Sequence, residues 1–138
     1  MKKYLLDTNV VSELRKAKPH GGVLAWISGI RDEQISLSAV TLGELQAGVE
    51  LTRRQDARKA QEIEEWIDRV EVTFSVVPMD SACFREWGRL MSGRSDDLLE
   101  DAMLAATARI YGLIVVTRNE DDFVPFNVDI LNPFRASP

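Results

Sequence analysis

The stretch EDAMLAATARIYGLIVVTRNEDDF, residues 100–123, reads as a helix, then the short buried strand LIVVT, then a loop that carries Asp122. Asp101 falls in the first turns of that helix. Residues three and four apart share a helical face, so Asp101 lies with Asp97, Leu98, Leu104, Ala105 and Ala108. No Lys or Arg lies on this stripe. A carboxylate on a mostly apolar face must be hydrogen-bonded, protonated or matched by a cation, because burying it alone costs several kcal/mol.

Upstream, the alternation of strand and helix recurs. Tyr4–Leu6 is an apolar run closed by Asp-Thr-Asn, and VVSELRKAK reads as a helix that runs out at Lys18-Pro19-His20-Gly21-Gly22. The amphipathic stretch VLAWISGI leads to the strand QISLS, whose Ser38 can cap the helix AVTLGELQAGVEL. Residues 53–70 predict a charged helix with Ile63, Trp66, Ile67 and Val70 on one side. VTFSVVP is strand-like, Asp80 opens a helix through Met91, and SGRS is a loop before the helix that starts near Asp97. VDIL predicts a last strand and NPFRASP a tail. Strands alternating with helices imply an α/β fold, a three-layer sandwich whose mainly parallel central sheet is flanked by helices.

The 138 residues, 45% of them hydrophobic, suffice for one domain spanning 1–138 with a single core. The longest apolar runs are strand-length, and MKKYLLDTN meets an acid before a signal-like region forms, so a soluble, cytoplasmic protein with no membrane contact is expected. The single Cys83 has no partner for an intramolecular disulfide. A net charge of −5 argues against a broad basic face for phosphates, although a metal could attract them locally.

In a parallel α/β sheet the ligand site lies beyond the carboxyl ends of the strands. Asp7, Glu44, Asp101 and Asp122 all belong to that edge. Glu44 sits among Val40, Thr41, Ala47 and Gly48, again without a Lys or Arg on the stripe. Each acid also has a plainer reading. Asp7 can be a helix cap and Glu44 a surface acid; Asp121 and Asp122 can be turn formers. Asp97 with Glu100 has the form of a capping box, and Asp80 reads as a cap. His20, the only histidine, reads as a solvated loop residue.

The segments DTNVVSEL, SAVTLGELQAGV, EDAMLAATARIYGLIVVTRNEDDF and the closing LNPF, in this order, resemble the PIN-domain family, and within it the ribonuclease toxins of type II toxin/antitoxin modules of the VapC or FitB type. The resemblance spans nearly the whole chain. It implies that Asp7, Glu44 and Asp101 are the family's core acids and Asp122 its fourth. Asn119 stands where some relatives carry an acid, so both Asn119 and Asp122 are candidates to face the metal. Thr8, Asn9, Ser12 and Thr117 would orient the ligands, and Arg118 would hold a phosphate or pair with an acid. The implied protein is a metal-dependent endoribonuclease acting on RNA, a homodimer neutralised by a small antitoxin. The helix bearing Ile63, Trp66 and Ile67, and the stripe along LGELQAGVEL, are the expected surfaces for that contact.

A site made only of carboxylates suits Mg²⁺, with Mn²⁺ as the alternative, because both prefer hard oxygen ligands and keep several waters. A metal-activated water would attack the phosphodiester, and a second ion roughly 3.5 to 4 Å away would stabilise the leaving oxygen. Two rivals exist. A phosphatase of the haloacid dehalogenase type needs an acid where this chain has Asn9. A non-catalytic RNA- or protein-binding module on the same fold would not need to bind Mg²⁺ at all.

Overall fold

A computed structural model describes residues 1–135. β1 (Tyr4–Leu6) is followed by α1 (Thr8–Arg15) and α2 (Gly21–Ser28), then β2 (Ile35–Ser38), α3 (Ala39–Arg53), α4 (Ala57–Thr73) and β3 (Ser75–Val77). α5 (Ser81–Met91) and α6 (Leu99–Tyr111) lead to β4 (Ile114–Val116), and α7 (Glu120–Phe123) to β5 (Ile130–Leu131). All strand pairs are parallel, in the order β3-β2-β1-β4-β5, with Leu6 opposite both Leu37 and Val116. The expected α/β sandwich is what the chain forms.

The central strands are apolar throughout because both faces are covered. Tyr4 and Leu6 look to one layer with Ile35, Leu37 and Val116, where Val10 and Val11 of α1 and Val23 of α2 complete the packing. Leu5 and Val115 look to the other, against Ala102, Leu104, Ala105 and Ala108 of α6 and the rings of Phe123 and Phe126. The alanines let α6 approach the sheet closely, and Gly112 closes the helix at a positive φ of 66° that a side chain would strain.

The strand order decides where a site can form. From β1 the chain builds outward to β2 and β3, then returns to place β4 on the opposite side of β1. The reversal leaves a crevice at the carboxyl ends of β1 and β4, where helices on either side diverge. Asp7 and Thr117 are the first residues past those two ends.

Several local expectations are corrected. The charged helix expected over residues 53–70 starts later: α3 runs on to Arg53, and α4 begins at Ala57, where the Asp56 carboxylate accepts the Lys59 N–H at 3.0 Å. α4 then continues to Thr73, which shortens the predicted strand VTFSVVP to Ser75–Val77. Its Ile63, Trp66 and Ile67 pack against Leu42, Leu45 and Val49 of α3; Ile67 is buried, while Ile63 and Trp66 stay half-buried. Asp97 does not cap α6. Ser95 caps the preceding 3-10 turn by accepting the Asp97 N–H, and Glu100 is thereby released for another use. Asp80 is the cap of α5, as expected. His20 is exposed yet caps α2, its Nδ1 accepting the Gly22 N–H at 3.0 Å. The tail forms a 3-10 turn over Pro133–Arg135, and residues 136–138 lie outside the described residues. No helix among the described residues is long and apolar enough to cross a membrane.

Candidate active site

Asp7 is both a cap and a site residue. It is only 7% exposed. One carboxylate oxygen accepts the Thr8 N–H at 2.7 Å; the other accepts from Asn9 Nδ2 at 3.0 Å and from the Thr117 hydroxyl at 2.8 Å. Thr117 is wholly buried and in turn accepts the Asn119 N–H at 3.0 Å, so the end of β4 is tied to the end of β1 through one carboxylate. These three donors favour the charged form. Burial outweighs them, and the Asp7 pKa stands above its ordinary value, with Asp122 pushing it the same way.

Glu44 comes to the same edge from the second turn of α3. The Thr8 hydroxyl donates to Glu44 Oε1 at 3.0 Å and lies 3.3 Å from the hydroxyl of buried Thr41. α6 supplies Glu100, which faces Glu44 across from α3. Burial first, and then Glu100, push the Glu44 pKa up to about 7, while Thr8 pulls it back. Asp101 is pushed up to about 6, by burial and then by the charges of Asp7, Asp122 and Glu100. Asp7, Glu44 and Asp101 are thus each raised in part by a neighbouring acid. Among the described residues no ion pair engages Asp7, Glu44, Asp101 or Asp122.

Asp122 is half-buried on α7, its N–H bonded to the Asn119 carbonyl at 3.2 Å. Asn119 is exposed and lines a polar cavity of about 270 Å³ with Arg118, Glu120, Asp121, Asp122 and Arg135. Both candidates for the fourth position thus border one space. Arg118 does not pair with the four acids: its Nη2 lies 3.5 Å from Glu13 Oε1. Ser12, one turn past Thr8, is exposed and joins none of the hydrogen bonds around Asp7 and Glu44. Glu100 and Thr41 are site groups that the sequence does not mark as such. Neither has a signal in spacing, because Thr41 meets Thr8 only where α3 packs on α1, and Glu100 meets Glu44 only where α6 packs on α3.

The donor set fits a hard divalent cation. It consists of carboxylate oxygens in a half-buried edge where titration is displaced upward, so a positive charge would relieve both the burial and the mutual repulsion. Among the described residues no three acids, histidines or cysteines stand at a separation ready to hold an ion.

A model of the PIN domain matches residues 4–126, from the first strand to the turn before β5. This chain belongs to the PIN-domain family. The VapC ribonuclease Y4jK of Sinorhizobium fredii is 36% identical over 143 residues, covering 96% of this chain and 99% of that protein. Among solved structures, FitAcB from Neisseria gonorrhoeae superimposes with a TM-score of 0.86 at 30% identity, over 96% of this chain and 99% of its own. VapBC-5 from Mycobacterium tuberculosis, a member of the VapBC family of toxin-antitoxin systems, aligns with a TM-score of 0.66 at 27% identity, over 96% and 99% of the two chains. The PIN domain here is therefore matched over nearly its full length by proteins of comparable size.

Proposed function

We propose that this PIN domain is a metal-dependent endoribonuclease, the toxin of a type II toxin–antitoxin module. It works in the cytoplasm, and a small antitoxin protein holds it in check. One observation carries the reading. Asp7 is a buried carboxylate that three donors do not bring back to ordinary acidity, and the charges of Asp7, Asp122 and Glu100 all bear on Asp101 at the same edge, with no Lys or Arg paired to Asp7, Glu44, Asp101 or Asp122 among the described residues. Evolution of a stable fold alone gives no reason to gather uncompensated charge there. The likeness to a named VapC ribonuclease over 96% of the chain supports the choice of RNA as substrate.

Asp7, Glu44, Asp101 and Asp122 are the residues that would hold Mg²⁺ or Mn²⁺, with Asn119 beside Asp122 in the polar cavity. When bound, such an ion supplies a water acidic enough to attack a phosphodiester and offsets negative charge on the phosphate oxygens. The chain's own groups prepare the place. Thr117, Asn9 and the Thr8 N–H fix the Asp7 carboxylate, so its orientation need not be found during the reaction. The Thr8 hydroxyl aims Glu44 in the same way from the first turn of α1. Glu44 and Asp101 must lose their protons before they serve as ligands. Cleavage should accordingly rise with pH through about 6 to about 7.

The test is RNA cleavage by protein purified free of any inhibitor, with Mg²⁺ or Mn²⁺, and then with chelator. Asp101→Asn is expected to lower the rate by more than about 100-fold, beyond the 10–100-fold typical of groups that only orient a ligand. Cleavage that survives chelation, or that persists in Asp101→Asn, overturns the mechanism.

A further inference from the structure

We propose that Arg118 is a phosphate-binding residue on the path of the RNA strand, held in place by Phe134 and Glu13. The inference rests on the ribonuclease reading above and names how that site takes hold of its substrate.

A chain of net charge −5 with an acidic site repels a polyanion unless cations meet it locally. Two basic side chains line the polar cavity beside Asp122: Arg118 and Arg135. They differ in what they have left to offer. Arg135 is committed to Glu120, Nε to Oε2 at 2.7 Å. Among the described residues, Arg118 has one ion-pair contact, at 3.5 Å with Glu13, and its side chain is 51% exposed.

Its position is nevertheless fixed. The guanidinium lies over the Phe134 ring, 3.9 Å from the centroid, and the far neighbour of that ring is His20 at 5.2 Å. Glu13 is buried and already pinned by Lys16 Nζ at 2.9 Å and by the His20 N–H at 2.8 Å, so it steers Arg118 without following it. The Arg118 main chain is held as well. Its N–H donates to Asn9 Oδ1 at 3.2 Å, and its carbonyl accepts from Asn132 Nδ2 at 3.3 Å. Because Asn9 also donates to Asp7, Arg118 sits at a set place relative to the catalytic edge. A planar guanidinium stacked on a ring, with most of its N–H groups free of protein partners among the described residues, matches the geometry of a phosphate with little ordering cost.

Fluorescence anisotropy with a labelled single-stranded RNA oligonucleotide tests this on the Asp101→Asn background in Mg²⁺, where the strand stays intact. Affinity is measured across a salt series. Arg118→Gln keeps the stem on Phe134 and removes the charge; it should bind more weakly, and the slope of log affinity against log salt should become shallower by about 0.7 for each phosphate no longer neutralised. Arg118→Lys should restore the slope. Arg89→Ala, an exposed arginine paired with Glu86 on α5, controls for net charge and should leave the slope as it was. A slope in Arg118→Gln equal to that of the Asp101→Asn reference overturns the assignment, as does an equal change in Arg89→Ala. Absence of RNA binding in the Asp101→Asn reference at low salt also overturns it, while the nuclease reading is judged separately by cleavage in the unsubstituted protein.

Discussion

At the scale of the residue, burial and hydrogen bonding compete over each carboxylate, and the outcome differs from one to the next. Glu13 is as buried as Asp7, yet Lys16 holds its pKa below the ordinary value, so it stays ionised and structural. Glu44 has a hydroxyl from Thr8 but faces another acid, and is raised from 4.5 to about 7. Folding therefore favours its protonated form. In the absence of a cation that contribution is complete below the unfolded pKa and is lost as pH rises through about 7. Glu44→Gln imitates the protonated state at every pH. In chelator, the melting temperature of Glu44→Gln relative to the unsubstituted protein should climb between about pH 4 and about pH 8. A difference that stays flat over that range would contradict the cluster's electrostatics.

At the scale of the element, the sequence is legible wherever local chemistry governs. β1, β2, the opening of α3 at Ser38 and the cap of α5 at Asp80 all stand where apolar pattern and capping residues put them. The failures share a cause. The charged helix begins at Ala57 and not at Arg53, because α3 runs on to Arg53 and the chain then turns so that Ala60 and Ile67 of α4 meet Val49. Val72 belongs to a strand-like run, but α4 carries it on to 88% exposure because the helix has no stop before Thr73. Asp56, where the new helix begins, is then a working cap. Asp56→Ala should cost about 1 kcal/mol, lowering the melting temperature by about 2–4 °C, with RNA cleavage unchanged. A thermal melt and a cleavage assay on the same sample check both halves.

At the scale of the whole molecule, the sheet order is the decisive fact. Asp7 and Thr117 are 110 residues apart in sequence and 2.8 Å apart in space, because β4 returns to the side of β1 that β2 left open. The four acids then occupy the edge of a folded sheet that does not exist in the unfolded chain. A cation bound there stabilises only the native state. Titrating Mg²⁺ at about pH 8 should raise the melting temperature, by an amount equivalent to about 2.7 kcal/mol at 100 times the dissociation constant. At about pH 5 the effect should shrink, since Glu44 and Asp101 must release protons to bind. A melting temperature indifferent to Mg²⁺ at both pH values would count against the metal site.

The linear order of residues by itself determined the alternation of strands and helices, the apolar character of the central strands and the position of each acid just past a strand or early in a helix. These follow from periodicities of two and of three to four, which act between near neighbours. Only the tertiary structure decided which of those acids meet. It moved Glu100 from an expected cap to a neighbour of Glu44, buried Ile67 against α3, and set Arg118 on Phe134 instead of among the acids. Such pairings depend on strand order and helix packing, which bring together groups whose separation along the chain carries no trace of their meeting.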